Sequence, residues 1–340
     1  MLRSLLATLA ILHVAAAAAP GADAETAADF YRGRTVKLVI PIGAGGTFAL
    51  NALLFAKGIS AHMPGHPTVT PDFMPGAGGM KGTNYVYNAA PKDGSVLGMP
   101  FPALVLAQHT RKGAAKYDAA KFQYIGRLAD TTRVIFVWHT AKAQTIEALK
   151  HTQVVLAASG TTNNTFIDPT LANALAGTKF RLVTGYKGAA SEAIALENGE
   201  AEAATSSLVN LQANRPDWFR DHKIRILIQT GLSRNPALKD VPLLQELATN
   251  ALDRKVAEYA AHTAEVGYAF MTPPGVPAEF VAAWRKAFDA MMHDPAFIAE
   301  VKKRKGEIGY ASAAQLTKVI NDALAVSPAV IERFMALTKS

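Results

Sequence analysis

Residues 36–46 read VKLVIPIGAGG and residues 68–79 read TVTPDFMPGAGG, so a short apolar run leads into the tetrapeptide GAGG twice. Apolar residues at helical spacing follow each loop, over 49–61 and over 81–90. A third short apolar run covers 95–99. Strands that alternate with helices in this way predict a parallel sheet with helices packed on its faces.

The two GAGG loops, at 43–46 and 76–79, are the strongest indication of a binding site. Neighbouring parallel strands deliver the loops that follow them to the same edge of the sheet. Glycine permits positive φ angles and lets a ligand approach the backbone N–H groups closely, and helix N-termini add unpaired donors and partial positive charge. Two such loops side by side predict a cradle for an anion such as a carboxylate. A tight turn without a ligand is the alternative for either loop alone.

Neither loop has the spacing of a nucleotide-binding loop. Phe48 and Lys81 stand where the dinucleotide fingerprint requires its third glycine. A phosphate-binding P-loop fails as well, because neither loop ends in Gly-Lys-Ser/Thr. The sequence therefore indicates no nucleotide cofactor.

The rest of the chain repeats the alternation and then becomes helical. Predicted strands cover 133–138, 154–158, 180–184, 201–205 and 224–229, and predicted helices cover 145–150, 163–176, 189–198, 242–263, 277–292, 295–303 and 313–337. Two strand-rich halves followed by a helical tail predict two hinged α/β lobes. We place the crossings between lobes near Asp130 and Tyr268. Lobe I is then 25–130 plus 268–340, and lobe II is 131–267.

Two loops of lobe II open helices with polar side chains. Residues 159–163 (SGTTN) offer hydroxyl and amide groups, and residues 185–189 (GYKGA) offer an aromatic ring and a cation. We expect both loops to contact the ligand from the second lobe. N-capping of a helix is an equally simple role for Thr162 and Asn163.

The N-terminus has the pattern of a secretory signal. Arg3 precedes an apolar run over 5–19, and 22–24 (ADA) offers small residues where a signal peptidase cleaves. The apolar run is shorter than the ~20 residues of a membrane-spanning helix. We therefore expect 1–24 to be a cleaved signal peptide and the mature protein to be periplasmic; an uncleaved anchor is the alternative.

Composition narrows the partners. The 340 residues include no cysteine, which excludes disulfides, thiolate metal sites, cysteine nucleophiles and a lipidated N-terminal cysteine. The formal net charge of +8 suits an anionic partner. Basic residues are scattered except for 302–305 (KKRK), where cations suit a helix end. This scatter, together with export, disfavours nucleic acid and favours a small anion.

No catalytic or metal-binding pattern stands out in the sequence. A Gly-x-Ser-x-Gly nucleophile elbow is absent. His62 and His66 have Pro64 and Gly65 between them, so they do not share a helix face and are not expected to bind metal. We expect a protein that binds its ligand without a metal or cofactor. An exported enzyme is the main alternative class.

In these loops the chain resembles the substrate-binding receptors of tripartite tricarboxylate transporters, also called the Bug family. The matching stretches follow the family's order over nearly the whole chain after the signal, and they are 39–41 (VIP) through 45–46 (GG), 75–79 (PGAGG), 90–94 (APKDG), 186–190 (YKGAA), 233–238 (SRNPAL) with 240–242 (DVP), and 273–277 (PPGVP). The resemblance implies a Venus-flytrap architecture, in which each lobe is a mainly parallel sheet flanked by helices. It also implies that the two GAGG loops hold one carboxylate, partly through ordered water.

The resemblance further implies delivery of the ligand to membrane permease subunits. We expect a monomer, since such a receptor must offer both lobes to its partner. A periplasmic sensor that feeds a signalling kinase is the alternative. The loops and the resemblance together give these candidate ligand-binding residues: Gly45, Gly46, Thr47, Phe48, Gly76, Ala77, Gly78, Gly79, Thr161, Thr162, Asn163, Tyr186, Lys187 and Ser206.

Four positions depart from the family. Ala49, Leu53, Phe166 and Ser206 stand where the family commonly has an acidic residue, an arginine, a histidine and an aspartate. The missing acids at 49 and 206 remove anchors for a ligand amine, and Phe48 and Phe166 could supply apolar walls. We therefore expect a carboxylate with an apolar or aromatic body rather than an amino acid. Burial of both phenylalanines in the core is the alternative.

Overall fold

The computed structural model of the chain describes residues 26–44, 46–161, 163–306 and 308–339; the predicted signal peptide lies outside them. Strands of the described residues form a six-stranded and a five-stranded sheet. The first sheet contains β1 Thr35–Ile40, β2 Thr68–Phe73, β3 Val96–Gly98, β4 Gln123–Arg127, β10 Ala269–Thr272 and β11 Ala311–Ser312. The second contains β5 Arg133–Trp138, β6 Val154–Ala157, β7 Phe180–Val183, β8 Ala203–Ser207 and β9 Ile224–Thr230.

Helices flank both sheets. They are α1 Ala27–Tyr31, α2 Gly46–Ile59, α3 Met80–Asn88, α4 Leu104–Thr110, α5 Ile146–His151, α6 Asn164–Ala176, α7 Ala189–Glu197, α8 Leu208–Asn214, α9 Pro216–Arg220, α10 Ala251–Val266, α11 Ala278–His293, α12 Pro295–Lys303, α13 Ala313–Leu324 and α14 Pro328–Leu337. None of the described helices is long and apolar enough to cross a bilayer. The two-lobed α/β fold predicted from the sequence is confirmed.

Both sheets are mixed, which corrects the expectation of mainly parallel sheets. The orders are β11-β4-β10-β3-β1-β2 and β7-β6-β8-β5-β9. Parallel pairs join β1 to β2 and β3, and β6 to β7 and β8. Two of the antiparallel pairs arise where the chain passes between sheets: β4 pairs with the returning β10, and β5 pairs with β9. A strand that leaves a sheet and a strand that returns at the same end must run in opposite directions.

Each sheet is covered by its own apolar cluster. Around the first sheet, Phe55 stacks on Phe270 with ring centroids 3.7 Å apart, and both rings are fully buried. Around the second, all six residues of β5 are buried between β8 and β9. Val330 and Phe334 of α14 belong to an apolar cluster of the second sheet, and the last helix packs on α10, α4 and α6 within it. The lobe boundaries at 130 and 268 stay a prediction.

Two predicted helices are shorter than expected. The single helix predicted over 313–337 is two helices, because Pro328 cannot donate to the ladder and starts a new first turn. The helix predicted over 242–263 is a 3₁₀ turn at Leu244–Leu247 followed by α10. Asn250 caps α10 by accepting from the backbone N–H of Asp253 at 2.9 Å, which fixes the start of the helix there.

Candidate functional site

The two GAGG loops leave the same edge of the first sheet. β1 and β2 run parallel, and Ile40 lies opposite Phe73 at their ends. Helix α3 packs on the residue that follows β1, since a Cβ added to Gly82 would lie 3.0 Å from the Pro41 Cα. The Met74 N–H, just before the second loop, donates to the Ile40 carbonyl at 2.8 Å. The segments before and after the second loop therefore lie against the end of β1, where the chain leads into the first loop.

The second GAGG loop is a tight turn with consecutive positive φ angles. The φ values are 143° at Gly76, 48° at Ala77, 66° at Gly78 and 104° at Gly79. The Gly79 and Lys81 N–H groups both donate to the Gly76 carbonyl, at 3.0 and 3.3 Å. The Ala77 and Gly78 amides at the tip of the turn are then the donors that a ligand can use. A left-handed alanine is uncommon and costs energy, so the surrounding contacts hold Ala77 in this shape.

The first loop runs into α2. Gly45 lies outside the described residues, and α2 begins at Gly46. The Thr47 hydroxyl accepts from the Tyr268 hydroxyl at 3.0 Å, and the Thr47 carbonyl accepts from the Asn51 side chain at 2.7 Å. The Phe48 ring lies edge-on to Tyr268, with centroids 5.7 Å apart, and packs against the first core. Thr47 and Phe48 thus hold the start of α2 in place through their contacts with Tyr268.

One cavity, of about 360 Å³, combines the second GAGG loop with the second sheet. Ala77 and Gly78 line it on one side and Thr161 on the other, with apolar walls from Phe101 and Phe334. We call it the Gly78 cavity. It is rimmed by the cations Arg111 and Lys339. Among the candidate residues, the structure therefore brings Ala77, Gly78 and Thr161 together here.

Other candidates from this region have local roles. Asn163 caps α6 through its side-chain oxygen, which accepts from the Thr165 N–H at 3.4 Å. Thr162 lies outside the described residues. Phe166 is half-buried and packs against the second core. Neither Phe48 nor Phe166 lines the Gly78 cavity, and contact of either ring with a ligand stays a prediction.

A second cavity, of about 640 Å³, lies between the first loop and α7. Ile42 and Ala44 line it from the first sheet, and Lys187 and Ser206 line it from the second. We call it the Glu192 cavity, after one of the residues that line it. Its other lining residues are Phe136, Gly188, Ala189, Ala190, Glu192, Ala193, Leu196, Ala204, Thr205, Asn210, Leu211, Asn214, Arg215 and Trp218. A mainly apolar cavity with a few polar groups is typical of a small-molecule site.

The start of α7 gives this cavity a positive end. Gly188, with a φ of 102°, precedes the helix, and the Ser191 and Glu192 amides donate to its carbonyl at 3.0 and 3.2 Å. The Ala189 and Ala190 amides are the remaining donors of the first turn, where the helix dipole is positive. Lys187 is exposed beside them and adds a full charge. This end of the cavity suits a carboxylate.

The remaining lobe II candidates differ in their exposure to the cavity. The Ser206 hydroxyl lines it and accepts from the Asn210 side chain at 3.0 Å. Tyr186 is half-buried and packs on the cluster beneath α7. The cavity floor includes the buried rings of Phe136 and Trp218, which meet with centroids 6.2 Å apart.

Glu192 is the residue of this cavity that the sequence analysis missed. Its side chain is 2% exposed, and burial raises its pKa from 4.5 to about 7. The sequence contains a pattern that could have identified Glu192. It precedes Leu196 by four residues and so lies on the apolar face of α7. A lone acid on such a face is a candidate for a functional role.

Metal ligands do not converge in the part of the chain that the structure describes. No group of three or more histidine or acidic side chains there is placed to hold an ion. His62 pairs with Asp294 at 3.2 Å, while His66 contacts the Ser60 carbonyl at 3.1 Å.

Comparison with known proteins gives a family and a fold. The family model described as tripartite tricarboxylate transporter family receptor matches residues 55–335. The periplasmic binding protein BugD is 21% identical, with a TM-score of 0.67 over 90% of this chain and 98% of BugD. MatC from Rhodopseudomonas palustris with bound malate is 17% identical, with a TM-score of 0.63 over 90% and 99%. An R. palustris protein with adipate is 19% identical, with a TM-score of 0.65 over 90% and 97%. No curated protein matches the chain.

Proposed function

Because the chain belongs to the family of tripartite tricarboxylate transporter receptors, we propose that it captures a small carboxylate in the periplasm and delivers it unchanged to the permease of such a transporter. The family is one of solute-binding receptors and not a class of enzymes. In this proposal 1–24 are a cleaved signal peptide, the receptor is a monomer, and its permease contacts are transient.

One observation carries the proposal: the two GAGG loops leave one sheet edge, and the cavities beside them reach the opposite sheet. The tip amides of Ala77 and Gly78 and the first-turn amides of α7 are uncharged donors on fixed backbone. Backbone donors of this kind bind a carboxylate without the entropy cost of ordering long side chains. Lys187 adds the charge that attracts an anion.

The relatives and the energetics agree with a carboxylate. Two solved relatives hold malate and adipate. A hydrogen bond to a charged group contributes about 1.5–3 kcal/mol. Four or five such bonds total about 6–15 kcal/mol, and the upper part of that range exceeds the roughly −8 kcal/mol of a micromolar complex and leaves enough for association and lobe closure.

The test is a calorimetric titration of the mature chain with mono-, di- and tricarboxylates, followed by mass spectrometry of the recovered ligand. We expect one carboxylate class to bind at around micromolar affinity and to return unchanged. The neutral amides of the same acids are the matched control and should bind far more weakly. Equal binding of acid and amide, or chemical conversion of the ligand, contradicts the proposal.

The permease role needs a separate measurement. Uptake of the bound carboxylate into cells with the matching permease should fall when the gene that encodes this protein is deleted, and it should recover when the gene is restored. Unchanged uptake together with an altered transcriptional response would favour the sensor alternative.

A further inference from the structure

The Glu192 cavity contains buried polar atoms that have no hydrogen-bond partner among the described residues. They are Glu192 Oε1, Thr205 Oγ1 and Arg215 Nε, and all three residues line the cavity. Glu192 is 2% exposed and Thr205 is 1% exposed. Buried polar groups in folded proteins are nearly always paired, so three unpaired atoms around one space call for an explanation.

Glu192 Oε1 and Thr205 Oγ1 can both accept a hydrogen bond from the same donor group. A carboxylate oxygen accepts hydrogen bonds, and a hydroxyl oxygen accepts them as well. Leaving a carboxylate buried and unpaired is costly, whereas pairing it with a cation removes most of the cost. The third atom belongs to Arg215, a cation that already has other partners. Arg215 lies 4.0 Å from Glu197 and over the Trp218 ring at 5.5 Å.

We propose that Glu192 and Thr205 form an amine subsite, in which an ammonium group of the ligand donates to the Glu192 carboxylate and the Thr205 hydroxyl oxygen. The inference rests on the proposed function, because the same ligand presents its carboxylate to the positive end of the cavity. It replaces the expectation that the ligand is not an amino acid. The acids missing at Ala49 and Ser206 have a substitute in Glu192.

The spacing on α7 fits a small molecule with both groups. The carboxylate donors within this cavity are the amides of Ala189 and Ala190, and Glu192 follows them within the first turn and a half of the same helix. Side chains on a helix lean toward its N-terminus, so the Glu192 carboxyl points back toward those amides. An ammonium group has three donors and can bind both acceptors at once. A second carboxylate in that position would instead face the Glu192 carboxyl.

The experiment compares ligands on the same carbon chain that differ at one group. Butyrate is titrated beside α-aminobutyrate, γ-aminobutyrate, γ-hydroxybutyrate and succinate, and caproate beside ε-aminocaproate. At least one amino acid should bind about tenfold or more tightly than its parent acid without the amine. Glu192→Gln should abolish most of that preference. Glu200→Gln, an exposed acid just beyond α7, removes the same charge away from the cavity and should leave the preference intact.

Where carboxylates bind, three results contradict the subsite. It is wrong if no amino acid of the set gains over its parent acid without the amine, if the gain survives Glu192→Gln, or if Glu200→Gln removes it equally. Butylamine separates the two proposals. If no carboxylate binds but butylamine binds in a Glu192-dependent way, the carboxylate function fails and the amine subsite stands. If carboxylates bind and amines add nothing, the function stands and the subsite fails.

Discussion

Ile40 and Phe73 face each other across the parallel pair of β1 and β2, as the last partners of that ladder. The loops that follow them therefore start at the same height and side by side. The shape of the second loop depends on glycine more strongly than that of the first. Gly79 has a φ of 104°, whereas nothing lies within 4 Å of a Cβ added to Gly43.

Alanine should destabilise the protein at Gly79 and be nearly neutral at Gly43. In Gly79→Ala the new Cβ would lie 2.6 Å from the Phe101 Cβ, in a left-handed backbone that alanine disfavours. We expect a loss of about 2 kcal/mol or more in the free energy of unfolding, and weaker carboxylate binding because the Ala77 and Gly78 amides move. Gly43→Ala should change stability by less than about 0.5 kcal/mol. Urea unfolding and calorimetry measure both; a Gly79→Ala protein as stable as the parent contradicts the described loop.

Lys187 should contribute by charge and not by packing. Its side chain is exposed beside the first turn of α7 and lines the Glu192 cavity. Lys187→Gln should lower carboxylate affinity by about tenfold and leave the unfolding free energy nearly unchanged. The parent protein should lose affinity as salt is raised, and the variant should lose less. Lys142→Gln, an exposed lysine elsewhere in lobe II, is the control. Equal salt dependence in parent and variant would show that Lys187 does not meet the ligand.

The sequence predicted those parts of the fold that depend on local pattern. The strand over 133–138 was predicted to the residue, because five consecutive apolar positions after Arg133 leave little ambiguity. The GAGG loops were predicted because glycine marks backbone that other residues adopt at a cost. The antiparallel return of β10 was missed, since strand direction is set by the crossing between sheets and leaves no local signal.

The site was predicted less completely than the fold. Residue type indicated Lys187 and the family resemblance indicated Ser206, and both line the Glu192 cavity. Glu192 escaped because a pattern of apolar and polar residues shows that an acid lies on a buried face but not whether it has a partner there. Phe48 and Phe166 were predicted as apolar walls of the ligand site, with burial in the core as the alternative. Each is half-buried and packs against a core cluster, and contact of either ring with the ligand stays a prediction.

The buried ion pair of lobe II should behave as a unit. Arg133 Nε donates to Asp168 Oδ2 at 2.7 Å and Nη2 donates to Oδ1 at 3.2 Å, with Asp168 fully buried. Asp168→Leu or Arg133→Met alone should cost about 3–5 kcal/mol, because each leaves a buried charge without its partner. The double variant Arg133→Met/Asp168→Leu should cost less than either single change. Additive costs in urea unfolding contradict this coupling.

Glu192 should make stability depend on pH. Its pKa of about 7 in the folded chain lies above its ordinary 4.5, so between these values the folded state holds a proton that the unfolded state has lost. The stability is therefore full below pH 4.5, falls as pH rises to about 7, and is level above that, a total change of roughly 3 kcal/mol.

Glu192→Gln removes this dependence because glutamine does not ionise. The unfolding free energy of the variant minus that of the parent should therefore increase by roughly 3 kcal/mol between about pH 4 and about pH 8, with most of the rise below pH 7. Taking the difference cancels the other carboxyls, which titrate alike in both proteins. Glu200→Gln should give a flat difference, since its side chain is exposed. A flat difference for Glu192→Gln as well would mean that water already reaches the carboxyl. The amine subsite was inferred from a buried, unpaired acid, so it would then lose its basis.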